Sequence, residues 1–169
     1  MPNPTYKAIA TTTVGAGGTS NIEFTSIPAS YTDLVIKLSA RSARSATQDF
    51  IQININTSAS NFSARGIEGN GSTVTSFTDT VFFGAMPGAS ATASTFGSLE
   101  AYIPNYGGST YKSYLADSVT ENNAATAYTE LVGGLWSQTS AITSIKLLSA
   151  TSNNFSQYTT ATLYGIVKS

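Results

Sequence analysis

Alternating apolar and polar side chains mark the clearest strand of the sequence, within the segment FTSIPASYTDLVIKLSAR at residues 24–41. From Asp33 onward, every second position is aliphatic, and these positions are Leu34, Ile36, Leu38 and Ala40. The positions between them are Val35, Lys37, Ser39 and Arg41. Because successive strand residues point to opposite faces, the pattern predicts a strand with an aliphatic face on a core and a cationic, polar face towards water.

Other segments share this period or are rich in β-branched residues, and together they predict about ten strands. They cover residues 6–14, 22–24, 50–56, 62–68, 73–83, 96–103, 111–119, 128–136, 141–148 and 159–167. In residues 50–56, the alternation places Ile51, Ile53 and Ile55 on the inward face. Residues 42–49 are a polar crossing with room for a helical turn, and residues 84–94 are a small, flexible loop.

Short strands separated by regular turns are typical of an all-β sandwich or barrel, and no internal repeat points to a solenoid or propeller. We predict an all-β, two-sheet sandwich with a jelly-roll-like arrangement, and the pattern leaves the strand order open. The length of 169 residues indicates one domain. Residues 1–5 are predicted to form an extended N-terminal arm, and residues 6–169 a single β-sandwich domain.

The composition favours a β-rich structural protein over a disordered chain or a helical bundle. Charged residues make up 10% of the chain, whereas ordinary soluble domains have about 25%. Hydroxyl and amide side chains replace them, with 24 Ser, 25 Thr and 11 Asn. The net charge of −1 gives no electrostatic basis for binding nucleic acid or an anionic membrane. The N-terminal residues MPNPTYKAIA do not form a secretory signal, and no apolar run reaches the roughly 20 residues of a membrane span.

The chain has neither His nor Cys, so the usual general base and the nucleophilic triads built on His are absent. Its nine carboxylates are scattered singly, which favours solvated structural roles over a paired catalytic site. They are Glu23, Asp33, Asp49, Glu68, Asp79, Glu100, Asp117, Glu121 and Glu130. The cluster of Asp117, Glu121, Asn122 and Asn123 lacks the spacing of a calcium loop. The sequence therefore predicts no catalytic residue, no metal and no cofactor.

Aromatic residues near the predicted turns are the candidate contact residues. Tyr102, Tyr106, Tyr111 and Tyr114 flank one Pro-Asn-Tyr-Gly-Gly turn, and Trp136 ends a later strand. Such residues close the end of a sandwich core, anchor a subunit interface or stack on sugar rings, and the sequence leaves all three open. In the last strand, Tyr164 and Ile166 lie opposite Leu163 and Val167, so both faces are apolar. This favours contact between Tyr164, Ile166 and a neighbouring copy of the chain.

A series of short motifs gives the chain a family resemblance from residue 24 onward. It comprises FTSIPASYTDLVIKLSAR, Asn61-Phe62-Ser63, Tyr102-Ile103-Pro104-Asn105-Tyr106, Leu135-Trp136-Ser137, Ala141-Ile142-Thr143-Ser144-Ile145, Asn154-Phe155 and Ala161-Thr162-Leu163-Tyr164-Gly165-Ile166. In this order the motifs resemble those of small β-rich structural proteins of tailed bacteriophages. The resemblance implies a virion component that assembles as a homo-oligomer without catalysis, as a head decoration protein, a head fibre or a tail-fibre module.

Two functional hypotheses follow from the residues and the resemblance. In the first, the protein is made in the host bacterial cytoplasm and decorates or cements a phage capsid as a homotrimer. Its partners would be other copies of itself and the major capsid protein or tail proteins. In the second, it is a tail-fibre or tail-tip module that binds a host glycan through Tyr106, Tyr111 and Trp136.

Overall fold

The computed structural model describes residues 5–123 and 127–167, and these ranges contain twelve β-strands. The strands are β1 (Tyr6–Thr13), β2 (Asn21–Phe24), β3 (Tyr31–Ala40), β4 (Gln48–Ile55), β5 (Phe62–Gly69), β6 (Val74–Asp79), β7 (Phe82–Pro87), β8 (Gly97–Ile103), β9 (Lys112–Glu121), β10 (Ala127–Trp136), β11 (Ile145–Ser149) and β12 (Thr160–Val167). Within the described ranges there is no helix, and hence none that could cross a membrane. Residues 42–49, which had room for a helical turn, therefore contain none.

The strands form two antiparallel sheets. The larger has eight strands in the order β1-β12-β3-β8-β9-β10-β5-β6, and the smaller has four in the order β2-β11-β4-β7. We call them the large sheet and the small sheet. The all-β, two-sheet sandwich expected from the sequence is confirmed, and the jelly-roll-like arrangement stays a prediction.

The predicted strand over residues 73–83 is two strands that lie in different sheets. The carboxylate Oδ1 of Asp79 accepts hydrogen bonds from the backbone N–H groups of Thr80 and Val81, which turns the chain. β6 ends before this turn at the edge of the large sheet, and β7 begins after it at the edge of the small sheet. A side chain that binds the backbone locally offers an alternative to the strand ladder, and here it ends the strand.

The core lies between the sheets and contains the side chains expected from the alternation in β3. Leu34, Ile36, Leu38 and Ala40 are all buried, as are Ile51, Ile53 and Ile55 of β4 in the facing sheet. Both predictions are confirmed. Apolar burial of this kind contributes about 25 cal/mol for each Å² removed from water, so these alternating rows supply much of the driving force for folding.

Val35 departs from the pattern, because it was expected to face water and is buried. Its cross-strand neighbours are Tyr164 of β12 on one side and Tyr102 of β8 on the other. Directly opposed side chains on one sheet face lie within contact distance, so the two tyrosines cover the valine from both sides.

The segment expected to be a flexible loop, residues 84–94, is ordered by one guanidinium. Its first part lies in β7, and the remainder wraps around Arg41 at the end of β3. Arg41 donates hydrogen bonds to the backbone carbonyls of Ala89 (3.2 Å), Ala91 (2.9 Å), Thr92 (2.8 Å) and Thr95 (2.8 Å). The planar fork of five N–H donors makes arginine well suited to hold several carbonyls at once.

The predicted N-terminal arm, residues 1–5, lies outside the described residues except for Thr5. The carbonyl of Thr5 accepts a hydrogen bond of 2.9 Å from the backbone N–H of Val167. The first strand of the large sheet, β1, therefore lies beside the last described strand, β12.

Candidate functional site

The outer face of the large sheet, which points away from the small sheet, carries a group of exposed apolar side chains. We call this group the outer-face patch, and it consists of Ile67, Tyr102, Leu115, Val119 and Leu131. Each of them is between 38% and 51% exposed. Exposed apolar residues that are contiguous, rather than scattered singly, mark interaction surfaces.

The strand register makes the outer-face patch contiguous. Leu131 in β10 lies directly opposite Ile67 in β5, and Leu115 in β9 lies directly opposite Tyr102 in β8. Leu115 and Leu131 are on adjacent strands and are offset by one step on the same face, since Leu115 pairs with Gly133. Such diagonal neighbours lie about 7 Å apart, within reach of one another.

A groove crosses the patch, and it exists because one of its positions is glycine. Gly133 lies between Leu115 and Arg65 in the sheet register. A Cβ at this position would meet nothing within 4 Å, which shows that the space above the backbone is open. The groove has a volume of ≈ 490 Å³ and is lined by Arg65, Ile67, Thr78, Leu115 and Leu131.

Two opposite charges lie on either side of the patch. Asp117 lies across from Glu100 on one side and from Leu131 on the other. Glu100 is paired with Lys37, at 2.9 Å between Oε2 and Nζ, so its charge is balanced. Asp117 and Arg65 belong to no ion pair within the described part of the chain, and Arg65 donates to the carbonyl of Ala64. Within the described part of the chain, Asp117 and Arg65 are thus an anion and a cation beside the patch without an ion-pair partner.

Two of the candidate contact residues, Tyr106 and Trp136, are buried rather than on the surface. The hydroxyl of Tyr106 donates to the carbonyl of Pro28 and accepts a hydrogen bond of 3.4 Å from the backbone N–H of Tyr31. The Trp136 ring packs against Phe62 with ring centroids 6.3 Å apart. Both side chains therefore close the core, which was the first of the three alternatives left open by the sequence. Their prediction as glycan or subunit contacts was wrong.

The other candidates lie at or near the surface, and one of them is separate from the rest. Tyr111 is 59% exposed in the turn before β9. Tyr102 lies in the outer-face patch, and partial burial, together with a hydrogen bond to Asp33, raises the pKa of its hydroxyl. Tyr164 and Ile166 are half-buried on the outer face of β12, where the Tyr164 ring meets Tyr6 edge-on at 6.3 Å. The structure thus brings Tyr102 and Tyr164 to either side of Val35, and leaves Tyr111 apart.

Two carboxylates expected to be solvated are buried between the sheets. Asp49 of β4 accepts hydrogen bonds from the hydroxyls of Ser42, Ser149 and Thr151 and from the backbone N–H of Phe50. The Arg44 guanidinium lies 3.9 Å from its Oδ1. A buried carboxylate that accepts this many hydrogen bonds is satisfied in place, and its role is to join β4 to the chain around β11.

Glu130 of β10 is the second buried carboxylate. Its Oε2 accepts a hydrogen bond of 2.9 Å from the Ser118 hydroxyl, and its Oε1 one of 3.3 Å from the Gln48 amide. Burial raises the pKa of Glu130 to about 7, with Ser118 opposing the shift and nearby Glu68 adding to it. This carboxyl group is therefore partly protonated near neutral pH.

A buried cation, Lys112 of β9, ties two turns together. Its Nζ donates to the carbonyls of Gly108 (2.5 Å), Thr110 (2.7 Å) and Thr139 (3.0 Å), which satisfies all three of its donors. Burial lowers its pKa. The ammonium group thus acts as a structural clasp and has no free donor for a ligand.

The strand period would have placed Asp49, which shares the face of Ile51 and Ile53 in β4. Lys112 and Glu130 also lie at inward positions, on the faces of Tyr114 in β9 and Val132 in β10. A charged side chain at an inward position indicates a satisfied core group, and the sequence carried this signal in the clean alternation of β4.

The chain has no match among protein-family models, curated proteins or solved structures. The likeness to phage structural proteins thus rests on the order of residue motifs alone.

Proposed function

We propose that this chain is a structural protein of a tailed-bacteriophage particle that decorates or cements the capsid as a homo-oligomer. The order of motifs from residue 24 to residue 166 supports the phage assignment. A trimer is the oligomeric state expected from the sequence, and it stays a prediction.

The outer-face patch is the observation that carries the proposal. A two-sheet sandwich already buries one core, and this chain carries a second apolar surface on the outside of the large sheet. Such a surface is costly to leave in water and is stabilised when another protein covers it. A protein of this kind acts by contact, and many copies on one shell add weak contacts into a strong attachment.

The buried polar groups also favour a structural role. Asp49 and Lys112 have their hydrogen-bonding atoms occupied by neighbouring hydroxyls and carbonyls. Side chains used in this way hold the fold in one arrangement, which suits a component that must present the same surface in every copy.

Binding of a host glycan is the weaker hypothesis, because Tyr106 and Trp136 are buried and Tyr111 is the one exposed member of the proposed sugar site. Stacking on a sugar ring needs an accessible aromatic face. No observation on the described residues favours this function over the first.

Electron microscopy of purified virions with a labelled antibody against the chain tests the proposal. We expect label distributed evenly over the heads, with the same antibody pre-adsorbed on purified protein as the control. Label confined to the tails would contradict capsid decoration and favour a tail module. Particles without label on either part would contradict a place in the virion.

A further inference from the structure

Two charges and two apolar residues of the outer face form a self-complementary arrangement on three adjacent strands. Asp117 and Leu115 lie on β9, and Ile67 and Arg65 lie on β5. In the register, Asp117 and Ile67 share one row across β10, and Leu115 and Arg65 share the next. The two charges are therefore at opposite corners of a rectangle, and the two apolar side chains are at the other corners.

A two-fold axis in the plane of the contact exchanges the corners that carry charge. If the axis is the perpendicular bisector of the line from Asp117 to Arg65, each Arg65 lies over the partner copy's Asp117. The same axis brings Leu115 and Ile67 each to about 4 Å from its own counterpart, at the strand and residue spacings of a β-sheet. In an isologous contact each residue pair occurs twice, so one favourable charge pair becomes two.

We infer that the outer-face patch binds a second copy of this chain, with Arg65 of each copy against Asp117 of the other. The inference rests on the proposed function, since it names the surface through which the homo-oligomer forms. A partner of uniform charge would oppose either Arg65 or Asp117 with a like charge, whereas a second copy matches both. The two charges are solvent-facing and belong to no ion pair within residues 5–123 and 127–167, so both are available for this pairing.

The size of the face fits a specific contact between two copies. At about 4.8 Å between strands and about 3.3 Å per residue, the eight strands of the large sheet offer a face on the order of 1,000 Å². A standard protein interface buries about 800 Å² on each partner. An isologous contact closes after two copies, so this surface yields a dimer and differs from the trimer expected from the sequence.

The decisive experiment is a charge exchange measured by sedimentation equilibrium and light scattering. The Arg65→Glu and Asp117→Arg variants should each weaken the dimer by about 10-fold or more, because each opposes like charges twice. An equimolar mixture of the two variants should recover dimers close to the wild-type affinity, and so should the double variant. Recovery on mixing is specific to this charge pair, since general loss of fold or of apolar contact would not produce it.

A second variant tests the apolar contact without disturbing the fold. Gly133→Glu places a charged side chain in the groove, where a Cβ meets nothing within 4 Å. We expect a folded monomer with wild-type circular dichroism. Tyr158→Asn is the control, since Tyr158 is 68% exposed in a loop away from the face, and this variant should dimerise normally.

Several results would overturn the inference. They are a wild-type monomer at millimolar concentration, a trimer that the face variants leave intact, and a failure of the mixed charge variants to associate. A monomer in solution that loses capsid binding through the same variants would assign the face to a capsid partner instead. If the protein is a monomer and the antibody labels the heads of virions, capsid decoration is retained and this contact is rejected. If the charge-exchange experiment shows the dimer and virions carry no label, the contact is retained and capsid decoration is rejected.

Discussion

The buried charged side chains of this protein are held in place by hydrogen bonds to polar groups on neighbouring strands and turns. Glu130 is the clearest case, because its carboxyl group lies between the sheets with Ser118 and Gln48 as partners. Its pKa of about 7 in the folded protein lies above the ordinary value of 4.5. Between these two values the folded state binds more protons than the unfolded state, so stability falls as pH rises through this range.

Glu130→Gln should remove this pH dependence. The free energy of unfolding of the wild-type protein should fall between pH 5 and pH 8 by at most about 3 kcal/mol, since one pKa unit corresponds to about 1.4 kcal/mol. The free energy of unfolding of the variant should stay nearly constant over this range. The stability of the variant relative to the wild type should therefore increase as pH rises. Urea unfolding at the two pH values measures the difference.

The matched control for this comparison is Glu121→Gln, at an exposed carboxylate on the outer face of β9. It should follow the pH dependence of the wild type. Equal pH dependence in the Glu130 variant and the wild type would show that Glu130 is ionised in the folded protein throughout this range.

At the scale of the element, strand β10 has two neighbouring glycines on opposite faces, and only one of them has room for a larger side chain. Gly134 points inward, where a Cβ would lie 2.0 Å from the Tyr114 ring. That ring is buried, and its hydroxyl donates a hydrogen bond of 3.0 Å to the carbonyl of Phe82. Gly133, its neighbour, faces the open groove.

Gly134→Ala should therefore destabilise the protein by about 1–3 kcal/mol, the usual cost of overpacking a filled core. Gly133→Ala should be neutral or stabilising by up to about 1 kcal/mol, because alanine loses less backbone freedom than glycine on folding. Thermal and urea unfolding of the two variants side by side give the comparison. Equal effects at both positions would mean that Tyr114 moves aside freely.

The inward residues were predictable for strands whose two faces differ in polarity, whereas for strands apolar on both faces only the strand itself was predictable. β3 and β4 alternate cleanly, so their inward residues were identified correctly. In β10, Leu131 points outward and Val132 inward, which hides the period. An aromatic residue such as Trp136 fits a core or a surface equally well, and only the packing against Phe62 decides between them. The outer-face patch escaped the sequence analysis because its residues meet only through the register of separate strands.

At the scale of the whole molecule, the last described strand, β12, occupies an interior position in the large sheet. β12 pairs with β1 on one side and with β3 on the other. Its inward residues Ala161 and Leu163 are fully buried in the core. The sheet therefore cannot close until the end of the chain has reached its place, a long-range pairing of the kind that slows folding.

Deletion of residues 160–169, which include β12, should leave a chain that does not fold cooperatively, since β3 loses one neighbour and the core loses part of its cover. Deletion of residues 1–13, which include β1, is the matched control, because β1 is an edge strand with exposed or half-buried residues. That variant should fold with reduced stability. Circular dichroism and the sharpness of urea unfolding distinguish the two results, and a cooperative transition without β12 would contradict the prediction.

The pairing of β1 with β12 also has a practical consequence for engineering. Tyr6 lies opposite Ile166, and Thr5 is bonded to Val167, so the first and last described strands meet at one corner of the large sheet. A short peptide linker across this corner would make a circular permutant, with new ends opened in a turn such as the one at Asn70 and Gly71. Cargo fused directly before β1 or directly after β12 would emerge from the same corner, at the opposite end of the large sheet's strand order from β6.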